Sequence, residues 1–136
     1  MSAGEQFFDT NVLLYLLSGE DAKADRAEVL IAGGGVVSVQ VLNEFAAVAS
    51  RKLRMAWPEV REILAQVRAV CRVVPLDVET HDGGLNLAER WRLPFYDALI
   101  LASALRAGCR VLYSEDFQDG QLFEKQMTVR NPFREG

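Results

Sequence analysis

Four carboxylates stand where the surrounding chain is apolar: Asp9 in FFDTNVLLYLL, Glu44 in VLNEF, Asp97 in FYDALILASA and Asp116 in RVLYSED. A charge resists burial, and Asp is a poor strand residue. Each acid has an ordinary local explanation. Asp9 and Asp97 could each serve the start of a helix. Asp116 could be a solvated loop acid beside Glu115 and Asp119. Glu44 could pair with Arg51, seven residues on, along a helix rim. Gathered at one place, the four would do more. Unneutralised like charges about 4 Å apart repel by about 4 kcal/mol per pair at an effective dielectric of about 20. Such a cluster requires protons or a cation. An all-oxygen donor set favours Mg2+ or Mn2+ over zinc, and the single histidine, His81, reads as a helix-surface residue rather than a ligand.

Two of the acids resist the ordinary explanation. Glu44 shares a helical stripe with Val41 and Val48, next to a second apolar stripe through Leu42, Phe45 and Ala49. A glutamate there is hard to keep ionised without a partner or a cation. Pro94 already suits a helix start, which sets Asp97 too late for a simple N-cap.

The elements that must position these acids follow from periodicity and punctuation. QFFD reads as a short buried strand, and NVLLYLLSG as a helix closing at Gly19. Asp21 could cap a helix over AKADRAEVLIA that ends in the glycine triplet at 33–35, and VVSV is a second buried strand. QVLNEFAAVASRKLRM returns to helical spacing, with Leu42, Phe45, Ala46, Ala49 and Leu53 on one stripe. Pro58 opens a further amphipathic helix with Val60, Ile63, Leu64, Val67 and Val70 inward. RVVPL is the next strand, and Asp77 or Thr80 begins a helix running to about Trp91. FYDALILASALRAG is apolar nearly all round and should be covered on several sides, closing at Gly108. RVLYS is a strand, EDFQDGQ a polar loop, and MTVRNPF a short edge strand. Strands without polar alternation, interleaved with helices, predict a parallel sheet flanked by helices. In such sheets the functional crevice lies beyond the carboxyl ends of the strands, which is where Asp9 and Asp116 fall.

Composition sets outer bounds. The 136 residues suggest one compact domain, and half of them are apolar. Two cysteines make no disulfide framework, and no apolar stretch approaches the ~20 residues of a membrane span. A cytoplasmic protein is expected. With 15 basic and 19 acidic residues the formal charge is −4, which argues against nucleic-acid binding through a broad basic face. It leaves room for a nuclease whose acids are gathered around divalent ions.

FFDTNVLLY, LNEF, YDALILASA and YSEDFQDG stand in the order and spacing of the PIN-domain motifs. From Phe7 to about Phe133 the chain resembles a VapC-type toxin of a toxin–antitoxin pair. The resemblance implies a three-layer α/β/α sandwich with a central, mostly parallel sheet, one such domain spanning residues 1–136, and a metal-dependent endoribonuclease. It assigns Asp9, Glu44, Asp97 and Asp116 as the catalytic acids, with Asp9 and Asp97 as candidate direct ligands of one or two Mg2+ or Mn2+ ions. Glu44 and Asp116 would act directly or through metal-bound waters. Asp119 matches a further acid of some relatives, Ser114 the small hydroxyl residue before the last acid, and Thr10 and Asn11 side chains that would orient Asp9. The ions would activate water and stabilise charge on the scissile phosphate and the leaving 3′ oxygen. The implied partners are RNA, a cognate antitoxin covering the acids, and a second copy of the chain. NVLLYLL could form the dimer surface or simply fill the core.

The RNA path is a weaker expectation. Arg90 and Arg92 precede LPFYD, and Arg51, Lys52 and Arg54 follow the Glu44 helix; either group could contact phosphates or be solvated helix ends. Trp57 and Trp91 read as core or interface residues. Two rivals remain. A haloacid-dehalogenase phosphatase needs an acid two residues after the first, where this chain has Asn11. A non-catalytic PIN-like module that binds RNA or protein would have no need for the intact set of four acids.

Overall fold

The computed structural model describes residues 6–134. The chain runs β1 (Gln6–Phe8), α1 (Thr10–Leu14), a 3-10 turn (Tyr15–Leu17), α2 (Asp21–Ala32), β2 (Gly35–Ser38), α3 (Val39–Arg51) and α4 (Trp57–Val70). It continues with β3 (Cys71–Val74), α5 (Val78–Trp91), α6 (Phe95–Arg106), β4 (Val111–Tyr113), β5 (Leu122–Phe123) and β6 (Met127–Arg130). The strands form one sheet in the order β3-β2-β1-β4-β6-β5, parallel except for the β5–β6 pair. Helices α1 to α4 pack on one another, and α5 and α6 form a separate pair. Right-handed crossovers account for this division: β1→β2→β3 steps one way across the sheet, and β3→β4 steps back over β1. The result is the three-layer α/β/α sandwich expected from the sequence.

The reversal of strand order falls between β1 and β4. There the chain leaves two neighbouring strands in different directions and opens a crevice at their carboxyl ends. Phe7, Phe8, Val36, Val37 and Leu112 on the strands are fully buried. On the α6 side, every residue from Ala98 to Ala104 is buried, so this apolar helix is covered on several sides as its composition requires. Gly84 permits the close approach of α5 and α6, since a Cβ there would stand 2.7 Å from Leu99 Cδ2.

Several local expectations need correction: Val70, expected inward, is exposed, and Asp21 lies inside α2, with Glu20 at the cap position. NVLLYLLSG is not one helix: α1 ends at Leu14, and Tyr15–Leu17 tightens into a 3-10 turn. The stripe through α3 stops short of Leu53, which lies beyond Arg51 and is half exposed. MTVRNPF is not the sheet edge. β6 is internal, with the two-residue β5 outside it, because the stretch read as a polar loop turns back to supply that strand. Val12 and Leu13 are fully buried and Leu14, Leu16 and Leu17 pack against the core, so core filling accounts for NVLLYLL.

Candidate active site

Asp9 follows β1 and caps α1 in extended backbone geometry. Its N–H donates to the Tyr113 carbonyl at the end of β4 (3.0 Å), which fixes it at the strand reversal. Oδ1 accepts from the Thr10 N–H at 2.7 Å, and Oδ2 accepts from Ser114 Oγ at 2.6 Å. The residue is only 3% exposed. Burial pushes its carboxyl up to about 7; the Ser114 and Thr10 bonds oppose the rise, and the charges of Asp116 and Glu44 add to it.

Ser114 joins two of the acids. Its hydroxyl donates to Asp9 and also accepts the Asp116 N–H at 3.0 Å. Glu44, one turn into α3 and half-buried, accepts from Thr10 Oγ1 at 2.6 Å and from Gln40 Nε2 at 3.3 Å. Gln40 Nε2 also donates to the Tyr96 carbonyl at 3.1 Å, tying α3 to the first turn of α6. The next residue is Asp97, whose carboxyl is raised by burial and then by Asp116 and Glu44. The charges of Glu44 and Asp116 therefore reach both Asp9 and Asp97. Arg51 forms no ion pair with Glu44; seven residues along a helix places it about 10 Å farther down the axis.

Asn11 Oδ1 accepts the Glu115 N–H at 3.4 Å, and Glu115 Oε2 accepts from Tyr15 OH at 3.3 Å. Gln40, Tyr15 and Glu115 were not singled out from the sequence. Gln40 could have been, since it lies one turn before Glu44 on the same helix face. Other candidates are engaged elsewhere. Asp119 Oδ1 accepts the Asn131 N–H at 2.8 Å and its other oxygen lies 3.7 Å from Arg134. Arg90 pairs with Glu124, which also accepts from Trp91 Nε1 at 3.1 Å. Arg92 is exposed in the left-handed region that ends α5. Arg51 and Lys52 are exposed at the end of α3 remote from Glu44, and Trp57 is largely exposed. His81 is exposed with its ring edge on Phe95.

The donor set suits a hard divalent cation. All four candidates offer carboxylate oxygen, and opposing positive charge would relieve the burial and repulsion that make Asp9 and Asp97 weaker acids than usual. Among the described residues no three Asp, Glu, His or Cys side chains already close around one point.

The family model of the PIN domain matches residues 7–119, a span that holds all four acids. A search of curated proteins finds no match. Among solved structures, the chain is similar to a toxin–antitoxin complex from Klebsiella pneumoniae at 19% identity and a TM-score of 0.70, covering 95% of this chain and 98% of that one. It is similar to VapC20 of Mycobacterium tuberculosis, a sarcin–ricin loop cleaving toxin, at 22% identity and a TM-score of 0.65, covering 82% and 90%. VapBC2 from Rickettsia felis, bound to a DNA fragment from its promoter, aligns at 17% identity and a TM-score of 0.61, covering 93% and 97%. By the extent of the family match, this chain belongs to the PIN-domain family.

Proposed function

We propose that the protein is a divalent-metal-dependent endoribonuclease and the toxin of a toxin–antitoxin pair. The observation that carries this reading is Asp9: a buried aspartate held by Thr10 and Ser114, which in turn bond Glu44 and the Asp116 backbone, where the strand order reverses. Similarity to toxin–antitoxin structures supports the toxin role, with an antitoxin and a second copy of this chain as proposed partners. Among the described residues no helix is long and apolar enough to cross a membrane; we place the activity in the cytoplasm.

In this reading Asp9 and Asp97 hold Mg2+ or Mn2+, one or two ions, with Glu44 and Asp116 ligating directly or through water. A bound ion supplies Lewis-acid activation of water and offsets charge at the scissile phosphate. The chain's own residues prepare the site. The Thr10 N–H and Ser114 hydroxyl hold the Asp9 oxygens and favour the ionised form that can ligate. Thr10 Oγ1 and Gln40 Nε2 fix Glu44, and Ser114 Oγ sets the Asp116 loop. No serine, cysteine or histidine nucleophile is required.

The test is cleavage of RNA by purified protein freed of any bound partner, with Mg2+, Mn2+ or chelator. We expect endonucleolytic cuts that need the metal and vanish in Asp97→Asn. RNA that is bound but left intact in both metals would instead make the protein a binding module.

A further inference from the structure

We propose that a basic pocket between α2 and the chain's last described residues takes backbone phosphates of the RNA beside the scissile bond. This rests on the nuclease reading, and it assigns the substrate a path that none of Arg90, Arg92, Arg51 or Lys52 would give it.

The pocket encloses about 450 Å3 and is lined by Lys23, Arg26 and Arg134 with Pro132 and Phe133; Glu20 is its one acid. The cations are weakly committed. Lys23 Nζ lies 3.6 Å from Glu20 and Arg134 lies 3.7 Å from Asp119, both as exposed pairs of the kind worth little in water. Arg26 donates from Nε to the Pro132 carbonyl at 3.2 Å, which orients its guanidinium, and it has no ion pair among the described residues. A planar guanidinium held this way presents a fork suited to phosphate oxygens.

Position makes the pocket more than a charged patch. Tyr15 links two residues of the pocket, Lys23 and Phe133, to the loop that carries Asp116. Its hydroxyl donates to Glu115, the neighbour of Asp116; its ring centroid lies 4.1 Å from that of Phe133, and Lys23 Nζ stands 5.1 Å above it. Lys23 through Tyr15 and Arg134 through Asp119 both adjoin the 115–119 segment that carries Asp116, so a strand bound at the acids would leave them toward these cations. The chain carries a net charge of −4, so a polyanion drawn to the acid crevice requires local positive charge beside it. Phe133, half-buried, adds an aromatic side chain of the type on which unpaired bases stack. An acidic peptide would find the same cations, but it would have no use for the adjoining metal-binding acids.

The experiment measures binding of a labelled single-stranded oligoribonucleotide of mixed sequence to Asp97→Asn protein, which separates binding from cutting. Adding Lys23→Gln and Arg26→Gln should weaken binding about tenfold at low salt and flatten the slope of log K against log salt by about 1.4, at roughly 0.7 for each phosphate no longer neutralised. Lys23→Gln alone, which leaves the Arg26–Pro132 bond in place, should give about half of that change in slope and guards against a folding defect. Unchanged affinity and slope in both variants would overturn the pocket. So would a variant that binds RNA normally but loses binding to poly-glutamate, which would mark a protein-docking site. The two readings fail separately. Cleavage by the wild-type protein with salt slopes unchanged in the variants removes the pocket and leaves the nuclease. Flattened slopes with no wild-type cleavage in either metal remove the nuclease and leave the pocket.

Discussion

Asp9 and Asp77 both cap helices in this chain, and their surroundings drive their acidity in opposite directions. Asp77 starts α5, accepts the Thr80 N–H at 2.9 Å and the Thr80 hydroxyl at 2.8 Å, and pairs with Arg106 at 2.6 Å. Those bonds to the ionised form, with the guanidinium charge, pull its carboxyl down to about 2. Asp9 accepts two comparable hydrogen bonds, yet its carboxyl rises to about 7 because it is buried and faces acids instead of a cation. Capping is thus the same local task in both places, and it explains Asp77 fully. It does not explain why a charge at Asp9 is sealed in beside Glu44 and Asp116. On the proposed nuclease reading, an external cation would supply the opposing charge that Asp9 lacks.

The sharpest way to break this comparison is Asp9→Asn, which keeps a capping oxygen and removes the charge. On the nuclease reading, metal-dependent cleavage falls roughly a thousandfold. Stability without metal should move the other way. Well below pH 3.8 the Asp9 carboxyl is protonated in both folded and unfolded chains and costs nothing. Between its unfolded value of 3.8 and its folded value of about 7 the folded state binds the extra proton, so stability falls as pH rises. Above pH 7 the full cost is present, on the order of 4 kcal/mol. Urea unfolding in chelator should therefore show wild-type protein losing stability from pH 5 to 8, with a much flatter profile for Asp9→Asn. Mg2+ should restore the wild-type loss at pH 8. A wild-type profile that is flat in chelator would mean that Asp9 is already compensated.

Ser114→Ala sharpens the same contrast by removing one of the bonds that makes Asp9 resemble Asp77. The Ser114 hydroxyl favours the ionised form, so its loss raises the Asp9 carboxyl further. The acid limb of the pH–cleavage profile should shift to higher pH. Cleavage at neutral pH should fall about 10- to 100-fold, the usual cost of losing a group that orients a ligand, with part of the loss recovered in alkaline buffer. Equal loss at every pH would instead trace the defect to the Asp116 loop, whose N–H the same hydroxyl accepts.

The four candidate acids stand out in the sequence because each breaks a local pattern: Asp9 and Asp116 end apolar strands, Glu44 interrupts a helix stripe, and Asp97 opens the most apolar helix. What joins them was less legible. Gln40 reaches Glu44 within its helix, but its bond to the Tyr96 carbonyl depends on how α3 meets α6. The basic pocket draws Lys23 and Arg26 from one end of the chain and Arg134 from the other, whereas local charge clusters drew attention to Arg51, Lys52, Arg90 and Arg92. The place of β6 inside the sheet depends on β5 folding back over it, and periodicity carries no information about such pairing. The end of α1 at Leu14 likewise follows from packing that an apolar run does not disclose.

The smallest effect belongs to the other member of the pair. Asp77→Ala removes a cap and the partner of Arg106 at the far end of α5 and α6, distant from the acids. Because the folded carboxyl titrates near 2, below its ordinary 3.8, its contribution is complete above pH 4 and is lost as pH falls through about 2. Wild type and Asp77→Ala should therefore differ in Tm by a few degrees at neutral pH, as for other lost caps, and converge below pH 2. Thr80 and Glu79 still engage Arg106, which keeps the loss small. Cleavage and its pH profile should stay within twofold of wild type. A large fall in cleavage with little change in Tm would show that the α5–α6 end is coupled to the crevice, and the division between a structural and a functional cap would no longer hold.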